Sequence, residues 1–292
     1  MVVIYGLIGL SLIALAFILN TLDISSLDPL GFIYTTALFT TGYWLLFDSI
    51  DYKLNKTSIL HKIQRKHKKF FYLLLIGIAI GLIFDFFGAY IANLWEYPIK
   101  INEQIILYAK GVLFGYGIPI LMYYSIYRVI LTLLTKKLGT FGIKLTTHKK
   151  EAKIFKLLGI LGIIMFLIPI FAITFFPFEN PIIRGLLFSF TLIGLWLILE
   201  FIEYFERERS LLKDIFHGYW NPILTIIIGA VLTGFVWEFL NLLRPVWTYK
   251  NYPLSELNIF GVPIVILIGW IFLFIVYLSF YRAIFKGRED IW

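Results

Sequence analysis

No cysteine occurs anywhere in the chain. That absence removes a disulfide framework, a thiolate metal site and a thiol nucleophile together. Charge is scarce as well: Asp, Glu, Lys and Arg make up 15% of the residues, against 60% hydrophobic. A soluble domain is about one quarter charged, so this composition excludes an ordinary globular protein. Histidine is limited to His61, His67, His148 and His217, all in charged connecting segments. They read as solvated loop residues, and no metal site is expected. A Gly-rich phosphate loop, a dinucleotide fingerprint and a Ser-His-acid order are missing too, so no cofactor is implied.

What the sequence has instead is apolar runs. Eight can be read, at roughly 2–20, 30–50, 70–93, 105–134, 154–176, 182–203, 221–243 and 259–285, each near the ~20 residues that span a bilayer. The expected fold is an all-α polytopic membrane protein with eight transmembrane helices. The first run starts at Val2 without a basic leader or a small-residue cleavage site, and reads as a retained span.

The formal charge of +8 is unevenly placed. The connection 52–69 carries Lys53, Lys56, Lys62, Arg65, Lys66, Lys68 and Lys69, whereas 21–29 has Asp23 and Asp28 and no cation. The same alternation continues through 135–153, 204–217 and the tail. Basic loops face the cytoplasm, which predicts a multi-pass protein of the cytoplasmic membrane with both termini inside. Anionic lipid headgroups account for these loops, so the expected partner is the bilayer and not nucleic acid.

An offset of 152 residues reveals an internal repeat. Gly42-Tyr43-Trp44 matches Gly194-Leu195-Trp196, and Asp48, Asp51 and Tyr52 match Glu200, Glu203 and Tyr204. Ser58 matches Ser210, Trp95 and Tyr97 match Trp247 and Tyr249, and Ser125-Ile126-Tyr127-Arg128 matches Ser279-Phe280-Tyr281-Arg282 at an offset drifted to 154. Four spans per half give both halves one orientation, so residues 1–134 and 154–292 are expected to be parallel four-helix repeats. The basic segment 135–153 would be the cytoplasmic linker.

Two polar clusters follow. The outer one has Asp85 in the third span and Glu238 in the seventh. Asn241 and Arg244 continue Glu238 at spacings of three, on one helix stripe. One reading is interhelical contact plus an interfacial aromatic belt. The other is a pair of carboxylic acids in an aromatic-lined cavity, where low dielectric keeps an acid protonated and able to donate. The inner cluster is Asp48, Asp51, Glu200 and Glu203. Its Asp-x-x-Asp and Glu-x-x-Glu spacing would suit a Mg²⁺–diphosphate. The preferred reading puts Asp51 and Glu203 largely in water, meeting Lys or Arg from neighbouring loops.

The order of acid, Trp-x-Tyr, then Gly-x-Pro opening the next span resembles the small membrane carotenoid-modifying enzymes. These are the lycopene cyclases built from paired membrane domains and the related carotenoid hydratases. Glu238, Trp247, Tyr249 and Gly261-Val262-Pro263 carry the resemblance, with Asp85, Trp95 and Tyr97 in the first half. The Pro-x-Glu-Glu motif of the cyclases is absent, and Gly117-Ile118-Pro119 lies inside its span. The resemblance implies cofactor-independent protonation of an isoprenoid double bond, then cyclisation or water addition. Glu238 would be the acid, Asp85 its partner, and Asn241 would orient Glu238 or a water. Trp95, Tyr97, Trp247 and Tyr249 would line the substrate site, with Arg244 beside them. Three other readings stay open: a Mg²⁺-dependent prenyl-diphosphate enzyme at the inner acids, a lipid-handling or transport protein with a two-fold repeat, and a structural membrane protein.

Overall fold

The computed structural model describes residues 2–22, 31–63, 67–97, 105, 109, 111–143, 145, 148–176, 178–207, 210–243, 245–250, 254 and 256–284. They form ten α-helices: α1 (Val2–Thr21), α2 (Gly31–Asn55), α3 (Ile59–Ile63), α4 (His67–Asp85), α5 (Ile118–Leu138), α6 (His148–Phe175), α7 (Pro181–Arg207), α8 (Leu211–Phe216), α9 (Asn221–Leu243) and α10 (Ile264–Ile284). Two π-helical stretches, Phe86–Ile91 and Leu113–Gly117, continue α4 and lead into α5. Four two-residue strands complete the set: β1 (Trp95–Glu96), β2 (Thr248–Tyr249), β3 (Asn258–Ile259) and β4 (Val262–Pro263).

Six stretches among the described residues are long and apolar enough to cross a membrane: Ile4–Thr21, Phe70–Ile91, Leu113–Leu138, Lys150–Phe175, Ile182–Glu206 and Asn221–Leu243. The fold is therefore helical and multi-pass. Of the two other expected spans, one falls on α2, whose C-terminal turns carry Asp48, Asp51 and Lys53. The other falls on α10, a 21-residue helix whose one charged residue, Arg282, lies in its last turn. The expected linker 135–153 is helical at both ends, as the last turn of α5 and the first of α6.

The chain groups into two compact units, each discontinuous in sequence. The first comprises Met1–Phe87, Trp95–Val129 and Phe235–Tyr249, the second Gly88–Leu94, Ile130–Gly234 and Lys250–Trp292. In the first, α1 and α2 approach closely because glycine faces glycine. A Cβ on Gly9 would lie 2.6 Å from the Gly42 carbonyl oxygen, and one on Gly42 would lie 2.7 Å from that of Gly9. Where water gives no drive for helix association, such close backbone packing is the main source of attraction. Phe39 is almost fully buried beside this seam and stacks on Tyr43 with centroids 5.3 Å apart. Gly81 seats the Tyr116 ring, which a Cβ would meet at 2.3 Å.

The second unit repeats the device. A Cβ on Gly162 would lie 2.9 Å from the Gly194 carbonyl oxygen, so α6 and α7 meet as closely. Gly234 lies under the Trp270 ring as Gly81 lies under Tyr116. Phe155 is fully buried and stacks on Tyr204 at 4.0 Å with the rings 6° from parallel. The opposite face of α6, with Leu157, Ile160, Ile164, Leu167 and Phe171, is exposed. Apolar residues on an outward face are what acyl chains require.

Candidate functional site

At one end of the first unit, Asp85 closes α4, and its side chain is buried at 5% exposure. Three donors converge on it. Trp95 Nε1 and Tyr97 Oη reach Oδ1 at 2.9 and 2.6 Å, and Tyr116 Oη reaches Oδ2 at 2.7 Å. Helical spacing cannot foretell this arrangement, because π turns follow Asp85 and contain Tyr116. Single π turns recur at functional sites, where they re-aim side chains. Asp85, expected as the partner of Glu238, bonds Trp95 and Tyr97 directly, and Tyr116 is a member that the sequence reading missed. Its signal was the repeat: an aromatic, Trp270, stands at the corresponding place in the second half.

Glu238 lies near the end of α9, buried at 4% exposure. Asn241, one turn on, spends its amide on backbone. Its Oδ1 accepts from Val246 N (2.9 Å) and Trp247 N (3.3 Å), and its Nδ2 donates to the Trp247 carbonyl (3.0 Å). Such local side-chain bonds fix a turn, here the segment that leads from α9 into β2. Arg244 lies outside the described residues. Trp95 pairs with Tyr249 and Glu96 with Thr248 in the antiparallel β1–β2 ladder, which joins the two Trp-x-Tyr segments. A small cavity beside Trp247 is lined by Ala16, Asn20, Thr36, Phe39, Trp237 and Leu240, with Thr35; Asp85 and Glu238 are not among its lining residues. Asn20 there donates to the Leu240 carbonyl at 3.2 Å.

The inner acids overturn the expectation made for them. Asp48, Asp51, Glu200 and Glu203 are all fully buried, and the cations that meet Asp51 and Glu203 come from helices, not loops. In the first unit, left-handed Lys56 (φ 58) ends α2 and turns the chain back. Ser58 Oγ then donates to Asp48 Oδ2 at 2.6 Å and Leu60 N to Oδ1 at 3.1 Å. Arg128 Nε of α5 donates to Asp51 Oδ2 at 2.6 Å, and Asn55 Nδ2 to Oδ1 at 2.7 Å. In the second unit, Leu212 N donates to Glu200 Oε2 at 3.0 Å, Ser210 hydrogen-bonds Glu200, and Arg282 Nε of α10 lies 3.6 Å from Glu203 Oε2. These carboxylates fasten the short helices α3 and α8 and pair with arginine, as buried charges must. Among the described residues, no group of three or more His, Cys, Asp or Glu is placed to hold a metal ion.

The histidines also depart from the solvated reading where they are described. His217 bonds buried Glu151, and the His61 ring lies 5.2 Å from that of Tyr52. The side chains of His67 and His148 lie outside the described residues.

Fold and polar clusters together define a helical multi-pass membrane protein with buried carboxyls in two distinct settings. No protein-family model matches this chain, and neither the curated proteins nor the solved structures contain a match to it.

Proposed function

We propose that the chain is an isoprenoid-modifying membrane enzyme in which Glu238 protonates a substrate double bond. The observation that carries this reading is the burial of Glu238 one turn before Asn241, whose amide fixes the Trp247 segment. A carboxylic acid buried away from water is suited to general-acid transfer of a proton to carbon. In that step the Glu238 O–H bond breaks, a C–H bond forms, and the cation left behind lies against aromatic faces. Loss of a C–H proton back to the Glu238 carboxylate ends a cyclisation; in a hydration water adds to the cation and its surplus proton returns to that carboxylate, and neither consumes an oxidant. Asp85, already accepting three hydrogen bonds, acts here as a positioning residue for Trp95, Tyr97 and Tyr116.

The architecture that goes with this reading is eight spans in two parallel four-helix repeats, both termini in the cytoplasm and the protein in the cytoplasmic membrane. Like contacts at matched positions support it: Gly9–Gly42 and Gly162–Gly194, Gly81–Tyr116 and Gly234–Trp270, Asp51–Arg128 and Glu203–Arg282. The β1–β2 ladder adds a stronger argument. Under the 152-residue offset Glu96 and Thr248 are equivalent, and they stand opposite each other. A residue paired with its own counterpart is what a local two-fold axis produces.

The experiment is extraction and mass spectrometry of lipids that co-purify with the protein, followed by turnover of the species found. Glu238→Gln should abolish turnover with helicity unchanged; turnover at the wild-type rate would overturn the assignment. One observation favours a second reading, lipid binding without chemistry: the cavity beside Trp247 has no carboxyl among its lining residues. On that reading Trp247→Ala lowers the amount of lipid retained, and Glu238→Gln leaves it unaltered.

A further inference from the structure

The cavity beside Trp247 lies within the first unit, at the ends of membrane stretches. Asn20 is one residue from the end of the apolar stretch Ile4–Thr21, and Leu240 is in the last turn of Asn221–Leu243. Thr36 comes from the second turn of α2. Apart from Asn20, Thr35 and Thr36 the walls are apolar or aromatic, with Phe39 and Trp237 edge to face at 6.1 Å. The cavity is not sealed, and it has room for about one water-sized group.

Two buried polar side chains on its wall are left with bonding capacity. Asn20 and Thr36 are each 7% exposed. Among the described residues, neither Asn20 Oδ1 nor the Thr36 hydroxyl has a hydrogen-bond partner. The direction of the Asn20 amide is fixed, because its Nδ2 donates to the Leu240 carbonyl at 3.2 Å and a flipped amide would set oxygen against oxygen. Asn20 Oδ1 therefore asks for a donor, whereas Thr36 Oγ1 both donates and accepts. Buried polar groups without partners are costly, and one small group that donates to Asn20 and accepts from Thr36 relieves both. A hydroxyl does this. An ester, ether or aldehyde oxygen accepts only, so it leaves Asn20 unsatisfied. No charged side chain is among the lining residues, so a phosphate or carboxylate would be buried there unpaired.

We infer that this cavity seats the hydroxyl of a long-chain apolar alcohol dissolved in the bilayer. Its O–H donates to Asn20 Oδ1 and accepts from Thr36 Oγ1, the adjoining carbons lie against Phe39, Trp237 and Trp247, and the chain leaves by the open side. A water here would have the same two partners but aromatic walls around the rest, where an ordered water uses about three bonds. The inference rests on the lipid-binding reading of this cavity, gives that reading a ligand class, and asks nothing of Glu238.

The test is photolabelling of the full chain in phosphatidylcholine nanodiscs, with octadecanol carrying a diazirine beside its hydroxyl carbon. Labelling should saturate despite the excess of phospholipid esters, map to peptides holding residues 16–20, 35–39 and 237–247, and be competed by plain octadecanol. The methyl ether of octadecanol accepts but does not donate, and should compete several-fold less well; stearate should fail through its charge. Thr36→Val keeps the side-chain shape, so it should weaken labelling several-fold at unchanged thermal stability in detergent. Asn20→Leu should weaken it as well, and Thr36→Val carries the test if loss of the Leu240 bond unfolds that variant. Glu238→Gln should label as the wild type does, so failure of the acid assignment would leave this result standing. Equal competition by alcohol and ether, or wild-type labelling of Thr36→Val, would overturn the inference. Labelling that does not saturate would overturn it too, and would leave the cavity to water alone.

Discussion

The two inner clamps are built on the same plan and differ by one methylene per acid. The first uses Asp48 and Asp51, the second Glu200 and Glu203. The shorter Asp51 meets Arg128 at 2.6 Å, and Arg128 Nη2 also donates to the Thr57 carbonyl at 3.3 Å; the longer Glu203 lies 3.6 Å from Arg282. The indoles show the reverse. Trp196 Nε1 donates to Glu200 at 2.8 Å across one helical turn, whereas the matching Trp44 Nε1 is buried without a hydrogen-bond partner. The unit with the shorter acids holds its arginine more closely and leaves its indole unbonded, and the unit with the longer acids does the reverse. The positions are thus set by the fold, and the share of bonding among them by the reach of each acid.

The largest expected effect is on the ion pairs. Arg128→Ala leaves a buried carboxylate uncompensated and should cost about 3–5 kcal/mol, the usual penalty for removing one partner of a buried pair. Arg282→Ala should cost less, about 1–3 kcal/mol, because its contact is longer than a hydrogen bond. Equal losses in thermal unfolding of the two variants in detergent would break the contrast. Next come the serines. Ser58→Ala removes the 2.6 Å bond to Asp48 and the cap on His61 N, and should cost about 1–3 kcal/mol. Ser210→Ala should cost about the same, since Ser210 also caps α8 by accepting from Lys213 N at 3.3 Å. Proteolysis that enters the α2–α3 connection in one variant and the α7–α8 connection in the other would sharpen the assignment.

The smallest effect tests the methylene itself. Glu200→Asp should strand the Trp196 indole and cost about 1 kcal/mol. Asp48→Glu should give Trp44 a partner, so its indole fluorescence should shift where that of a Trp44→Phe control does not. No change in either tryptophan would show that acid length is not what divides the clamps.

The outer cluster extends the comparison. Asp85→Asn replaces an acceptor of three hydrogen bonds with a group that has one acceptor oxygen, so about 1–3 kcal/mol and the Trp95 emission should both change. Glu238→Gln should leave Trp95 emission alone. If the two variants act alike on Trp95, the outer acids share one role after all.

Hydropathy made six of the membrane stretches legible, because length and apolar composition are themselves the signal of a span. The burial of the inner acids was not legible in the same way. Asp51 and Glu203 sit at span ends next to Lys53 and Arg207, where carboxylates ordinarily reach water. The signal that separates the cases is that Arg128 and Arg282 recur with the acids in both halves, which a solvated pair has no need to preserve. At the outer end, Asp85, Trp95 and Tyr97 stood out as a group from their match with the second half. Tyr116 did not, because its place depends on π turns that break the helical count. The two-residue strands β1 and β2 are too short to leave any alternation in sequence. Asn241 was expected beside Glu238 or a water, and its bonds to Val246 and Trp247 follow from a loop geometry that spacing on a helix says nothing about.

The opposition of Glu96 and Thr248 has a historical consequence. On the repeat reading, a protein made of one half alone would form this ladder with a second copy of itself, each arm crossing to its twin. The present chain would then be a fused homodimer whose seam was closed before duplication. Once fused, such copies would no longer have to stay identical. The exchange of Asp for Glu in the clamps, and of Glu96 for Thr248 at the seam itself, would be the divergence that such a fusion permits.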